Sequence, residues 1–283
     1  MGMAAVETLE SAAPTVLKPK FRHYAEEPLE DPIQQRVRNH YYMQHRFQTV
    51  EVVEQKRAEW LTFSRARLGI LECLDLLDEF VDHSDPDLDD ANRIHAYQTA
   101  ERMRAAFPDQ PHMHLAGLIH DMGKLMSVWG EQQHFVTGDT YPVGCRPAES
   151  IVYGLKSFEG NPDLHDSRYN TRLGMYQEGC GLESLLMCWS HDEYLYQVLK
   201  NHPDCTLPQE SLYAIRFHSF YPYHQGNEYA FFQTERDVQM RQYIHELNEH
   251  DLYSKADNMP PIEDLKPYYQ ELIERYVPGI LAW

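Results

Sequence analysis

The chain has 283 residues, 42% of them hydrophobic, enough for one large domain or two small ones with an ample core. Its formal net charge of −19 repels phosphate backbones, so nucleic acid is excluded as a partner and a small anionic substrate would need a local basic pocket. No apolar run approaches a membrane span, and residues 1–20 lack the charged-then-apolar order of a secretory signal, so a soluble, cytoplasmic protein without a membrane partner is expected. The five cysteines (Cys73, Cys145, Cys180, Cys188 and Cys205) form no C-x-x-C pair, and their odd number, with Cys73 and Cys188 in apolar helical runs, points to reduced thiols.

Residues 1 to about 30 are rich in Ala, Glu and Pro without a period, and 1–20 read as a mobile arm ahead of a domain over 21–283. Within that lead-in, Phe21-Arg22-His23-Tyr24 is an aromatic-basic cluster able to fold back onto the body. Residues 33–63 read as one long helix, with Val37, Tyr41, Gln48, Val52, Val53 and Trp60 on a partly buried face. Leu68, Leu71, Leu74, Leu77 and Val81 give a cleaner helix, which stops at the polar run Asp82-His83-Ser84-Asp85-Pro86-Asp87. Further helices are predicted over 92–108, 111–124, 182–200, 208–220, 235–253 and 262–276. Residues 129–147 read as loop with room for a short hairpin at 135–143, and 156–180 are again loop-like. No solenoid period, dinucleotide glycine motif or phosphate-binding loop is present, so the expected fold is an all-α, compact, single-domain bundle.

The segment His114 to Lys124 concentrates the chemistry. Leu115, Leu118, Ile119 and Met122 recur at helical spacing, and His120, Asp121 and Lys124 close the run. On a helix, His120 and Asp121 project about 100° apart, so both can reach one metal, the carboxylate as a terminal or bridging ligand. The His-Asp dipeptide occurs four times, and context separates the copies. His165-Asp166 lies in a polar loop and reads as solvated surface, whereas His120-Asp121, His191-Asp192 and His250-Asp251 lie on or beside apolar helical runs. A single helical histidine is ordinarily a core or surface residue, and Lys124 could simply pair with Asp121. The coincidence of His95, His120, Asp121, His191, His218 and Asp251 on or at the ends of separate predicted helices, the adjacent pair His120-Asp121 excepted, is what points to metal. Four imidazoles and two carboxylates exceed the needs of one ion and suit two with Asp121 between them. Ligation without thiolate favours iron, manganese or zinc over copper(I) or an iron–sulfur cluster.

The order H…HD…H…H…D places the chain near the HD-domain metalloprotein superfamily, and it more closely resembles the myo-inositol oxygenase family. The resemblance runs through the stretches 76–78 and 82–87, Ile119-His120-Asp121-Met122-Gly123-Lys124, Gly138-Asp139-Thr140-Tyr141-Pro142-Val143-Gly144-Cys145-Arg146-Pro147, Leu173-Gly174-Met175-Tyr176, Ser190-His191-Asp192-Glu193-Tyr194, Ile215-Arg216-Phe217-His218-Ser219-Phe220-Tyr221-Pro222 and the ending 276–283. It covers about residue 20 onward. It implies two non-haem iron ions, O₂ as co-substrate, and cleavage of the myo-inositol ring to D-glucuronate by a monomer. On this resemblance His95, His120 and Asp251 would hold one iron, Asp121 would bridge, and His191 and His218 would hold the other. Lys124 would hydrogen-bond a substrate oxygen, and Arg22, Asp82, Asp85, Gly138, Asp139, Ser219 and Lys255 would hold the remaining hydroxyls. His83 departs from the acidic residue expected of many relatives, which affects only the local loop charge.

The chemistry is consistent apart from the family. Carboxylates such as Asp82, Asp85 and Asp139 accept hydrogen bonds from the hydroxyls of a neutral polyol and repel a phosphate. An iron pair supplies redox capacity that magnesium and zinc lack. The rival is a metal-dependent phosphohydrolase, which needs cations around its phosphate. Lys124, Lys255, Arg22 and Arg216 are the candidates for that task.

Overall fold

Asp31 opens the first helix, α1 (Pro32–Phe47), by accepting a hydrogen bond from the Ile33 amide, and Pro32 sits in the first turn, where its missing N–H costs nothing. The computed structural model describes residues 24, 31–84, 92–251 and 259–283. The predicted helix over 33–63 is two helices, because Thr49 caps a new start for α2 (Val50–Trp60) by accepting from the Val52 amide. The Gln48 side chain, at the break, turns inward to pair with the Trp189 backbone at both its N–H and its carbonyl.

The next elements are a two-residue strand β1 (Arg67–Leu68), α3 (Ile70–Leu76) with a 3₁₀ turn at Leu77–Glu79, α4 (Asn92–Ala106) and α5 (Pro111–Ile119). The predicted helix over 111–124 ends early. Asp121 adopts φ −91° and ψ −2°, and a 3₁₀ turn at Met122–Lys124 leads into α6 (Leu125–Val128). The predicted 182–200 helix is also shorter. It begins as α7 (His191–Asn201), because Ser190 caps it by accepting from the Glu193 amide and 182–184 form only a 3₁₀ turn. Then come α8 (Gln209–Phe217), α9 (Tyr221–His224), α10 (Glu235–Asp251), α11 (Ile262–Tyr276) and β2 (Leu281–Ala282). The short hairpin for which 135–143 offered room is not formed. That segment holds a 3₁₀ turn at Gln133–Phe135 and is fastened instead to the side chains of α1. Among the described residues the two-stranded sheet is the antiparallel pair β1–β2, with Arg67 opposite Ala282.

The all-α expectation therefore holds, and no helix among the described residues is long and apolar enough to cross a membrane. Leu115, Leu118, Ile119 and Met122 are all fully buried, as their spacing requires. They belong to a large core shared with α3, α4, α7 and α11. A second core gathers Phe217, Phe220, Tyr223, Phe232 and Ile244. Two helices belong to both: α8 gives Ile215 to the first and Phe217 to the second, and α10 gives Leu247 and Ile244. Both cores thus fix the ends of α8 and α10, where His218 and Asp251 stand.

A polar stripe on α1 holds the 134–139 segment. His40 reaches the Thr137 carbonyl (3.0 Å), Gln44 donates to the Asp139 carbonyl (3.1 Å) and Gln48 to the His134 carbonyl (3.3 Å). His45, on the same helix, is fully buried, donates from Nδ1 to Ser157 Oγ (2.6 Å) and stacks on Phe158. Burial, aided by His40, pushes its pKa down to about 3. Between about pH 6.5 and that value the unfolded chain takes up a proton here that the native state refuses, so stability falls as the pH is lowered, by about 2 kcal/mol at pH 5. His45→Gln should therefore lose less thermal stability than the parent between pH 7 and pH 5. Parallel melting curves over that range would show that His45 carries no such penalty.

Candidate metal centre

Three imidazoles are oriented by backbone carbonyls. His120 terminates α5 and turns Nδ1 back to the Gly117 carbonyl (2.8 Å). His218 terminates α8 and does the same to Ile215 (2.8 Å). His191 is the first residue of α7, and its Nδ1 meets the Val136 carbonyl (2.6 Å). A carbonyl can only accept, so each Nδ1 carries a hydrogen, and whenever the ring is neutral its Nε2 presents a lone pair. Carbonyls left without partners at helix C-termini are thus used to aim two of the three rings.

These lone pairs converge on Asp121. Its Oδ1 lies 3.1 Å from His191 Nε2 and 3.8 Å from His218 Nε2. Its Oδ2 lies 3.5 Å from His120 Nε2 and 3.8 Å from His95 Nε2. Asp251, the last residue of α10, faces the second pair, with Oδ1 2.8 Å from His95 Nε2 and 3.2 Å from His120 Nε2. His191 Nε2 and His218 Nε2 are 3.2 Å apart, an approach at which at most one proton can be shared. Ligating atoms of His95, His120 and Asp251 lie within 4.8 Å of one another, as do those of His120, Asp121 and His218.

The electrostatics favour positive charge here. Burial opposes charging of His95, but Asp251 and Asp121 outweigh it and raise the pKa. The same balance raises His120, through Asp121 and Asp251, and His218, through Asp192 and Asp121. Burial also opposes ionisation of Asp121, yet Lys124 and His120 hold its carboxyl well below the usual range. His120 and His95 hold Asp251 down likewise, against burial. Lys124 is buried, with Nζ 2.9 Å from Asp121 Oδ2 and 3.0 Å from Asp82 Oδ2, and these carboxylates raise its pKa against burial. Asp82 is lowered by Lys124 and by hydrogen bonds from the Ser84 hydroxyl and amide, again against burial. With neutral imidazoles, the four carboxylates Asp82, Asp121, Asp192 and Asp251 and the single ammonium of Lys124 leave three negative charges uncompensated. Buried charge of that size is costly without bound cations. His120 Nε2 and Asp192 Oδ1 are buried with no hydrogen-bond partner, as expected of atoms meant for a metal.

The structure thus brings together His95, His120, Asp121, His191, His218 and Asp251, with Lys124 and Asp82 alongside. Asp139 is buried and accepts from the Tyr41 hydroxyl (3.2 Å), and Gly138 takes φ +100°, a conformation suited to glycine. Ser219 is joined to that loop by the Thr140 amide on its carbonyl (2.8 Å). Arg22, Asp85 and Lys255 lie outside the described residues, as do 1–20. His165 is exposed and Asp166 pairs with Arg168, so that His-Asp copy is surface. Lys124 is not the surface ion pair of the alternative reading, since it is shut between two buried carboxylates. Two features escaped the sequence reading. Tyr41 was seen as a core position without its bond to Asp139. Asp192 was not singled out, although the adjacency that marked Asp121 beside His120 marks it beside His191.

The sequence profile of the family described as myo-inositol oxygenase matches residues 34–283. The protein named inositol oxygenase in Mus musculus is 50% identical over 266 residues, covering 94% of this chain and 92% of its own. The Homo sapiens protein of the same name is 49% identical over 272 residues, covering 95% and 94%. Inositol oxygenase 4 of Arabidopsis thaliana is 43% identical over 267 residues, covering 93% and 83%.

Gly123 lets the turn carrying Lys124 lie directly on the start of α7. A Cβ there would sit 2.1 Å from the His191 carbonyl oxygen, a backbone atom that cannot yield without moving His191. Gly123→Ala should lower metal content and cost roughly 1–3 kcal/mol of stability, whereas Asp166→Ala should leave both unchanged. Metal analysis and thermal melts on the two variants make the comparison. Equal metal in Gly123→Ala and the parent would show that this contact does not set the site.

Proposed function

The chain belongs to the myo-inositol oxygenase family, and on that premise we propose how its own residues carry out the family's reaction, cleavage of the inositol ring by O₂ to give D-glucuronate. The observation that carries the reading is the division of Asp121: one oxygen faces His191 and His218, the other faces His120 and His95. This supports two metal positions with Asp121 between them, His95, His120 and Asp251 on one side and His191 and His218 on the other. Two iron ions fit the donor set of imidazole and carboxylate without thiolate. When bound, they supply the electron transfer and O₂ activation that no side chain in the site provides.

The remaining groups bind and orient the polyol. Lys124 stays an ammonium, because its two carboxylate neighbours hold its proton. It therefore serves as a hydrogen-bond donor and a fixed positive charge, not as a base. Two of its N–H groups face Asp121 and Asp82, which leaves the third for a substrate oxygen on which negative charge develops. Asp82, Asp139 and Ser219 suit the other hydroxyls, and Arg22, Asp85 and Lys255 complete the proposed set. The free thiols support a cytoplasmic enzyme.

Among the described residues, the two cations the phosphohydrolase reading would use are already paired with carboxylates. Arg216 is committed to Glu193 (2.7 Å), Lys124 is held by two carboxylates, and Asp82 and Asp139 would repel a phosphate.

Inositol should drive O₂ consumption with formation of glucuronate and without a nicotinamide, and inositol phosphates should be poor substrates. Release of phosphate from an ester without O₂ uptake would favour the hydrolase. Lys124→Met should retain metal but lose about 10²–10³ in turnover. In the metal-free state it should also be less stable by about 3 kcal/mol, since Asp82 and Asp121 then face each other unpaired. Unchanged turnover in that variant would remove Lys124 from the reaction.

A further inference from the structure

Asp192 follows His191 in the first turn of α7 and is 1% exposed. Its Oδ2 accepts from the Ser219 amide (3.0 Å). Its Oδ1 has no hydrogen-bond partner and lies 3.1 Å from His191 Nε2. Nδ1 is directed at the Val136 carbonyl and donates to it, so in the neutral ring Nε2 offers a lone pair to a carboxylate oxygen that also offers one. Asp121 Oδ1 at 3.1 Å and His218 Nε2 at 3.2 Å crowd the same nitrogen. A proton on His191 Nε2 would have to be shared among these three neighbours and could point squarely at only one. A cation among them serves all at once. One ligating atom each of His191, Asp192 and His218 lies within 4.8 Å of the others. The start of α7 further favours a carboxylate at this position through the helix dipole.

We propose that Asp192 Oδ1 is a further protein ligand of the metal position served by His191 and His218, and that it secures that ion in the substrate-free protein. This rests on the two-position reading above. Under that reading the other position has His95, His120, Asp251 and the shared Asp121, whereas this one has only His191, His218 and Asp121. Asp192 makes the two equal in protein donors while leaving a ligand that a substrate hydroxyl can replace.

The test is Asp192→Asn in the full chain. The amide oxygen can still accept from the Ser219 amide, so the variant removes the anionic donor and keeps the shape. Iron content would be measured after equilibration with a graded chelator series, together with thermal melts of metal-free and iron-loaded protein. The ligand role predicts that one of two irons is lost at about 10–100-fold lower chelator concentration than in the parent. It also predicts that metal-free Asp192→Asn melts at or above the parent, because a repelling carboxylate has gone, while the rise in Tm on iron addition shrinks. Parent-like iron retention, or a metal-free protein that is destabilised while its iron-induced rise in Tm is preserved, would overturn the proposal and leave Asp192 a support for Ser219. Asp121→Asn separates the two readings: it should disturb both irons, and its retention of both at parent affinity would overturn the two-position centre and this proposal with it.

Discussion

The centre depends on three hydrogen bonds that never touch the reaction: His120 to Gly117, His218 to Ile215, and His191 to Val136. Each fixes a tautomer and a ring plane, and together they point three lone pairs at one carboxylate. Without them, neutral imidazoles could turn Nε2–H toward Asp121, and the cluster would satisfy itself as an ordinary buried hydrogen-bond network. With them, neutral rings leave the cluster short of donors, and that shortfall is what fits it to hold a metal. The rest of the fold serves these bonds. Two cores meet at α8 and α10, Gly123 seats the Lys124 turn on α7, and the stripe on α1 holds the segment that supplies the Val136 carbonyl.

The charge of the chain acquires a local meaning. The interior of the site is acidic, like the molecule as a whole, and Lys124 compensates only part of it. Two divalent ions would more than balance the remainder, so discrimination against phosphate would rest on carboxylates such as Asp82 and Asp139 beside the ions and not on the net charge of the site. The cysteines do not compete for the metal. Burial pushes the pKa of Cys73, Cys145 and Cys188 up, Cys145 to about 12, so these thiols stay protonated and are poor ligands.

The all-α class was legible because apolar periodicity survives in single sequences: Leu115, Leu118, Ile119 and Met122 are buried as their spacing requires. The helix ends were less legible. Periodicity continued through residue 124, but the backbone leaves the helix after Ile119, and the geometry of Asp121 and Lys124 comes from that turn and not from helical angles. Thr49 and Ser190 could each have been read as caps, yet the apolar residues around them suggested uninterrupted helices. The metal candidates were found because ligand-type residues stood on five separate elements, His120 and Asp121 sharing one, and the loop copy His165-Asp166 was set aside on polarity alone. The Val136 carbonyl left no trace in the sequence, since a backbone oxygen has no residue type. Asp192 was visible in principle but shared its dipeptide with three other copies, and only burial and its unpartnered oxygen distinguish it.

The central claim is that Asp121 lies between two metal positions in one chain. Anaerobic titration of metal-free protein with ferrous ion, followed by equilibrium dialysis and Mössbauer spectroscopy of the loaded sample, tests it most directly. Saturation at two irons per chain with spectroscopic coupling between them is the predicted result. Saturation at a single iron in protein that is fully active on inositol would contradict it.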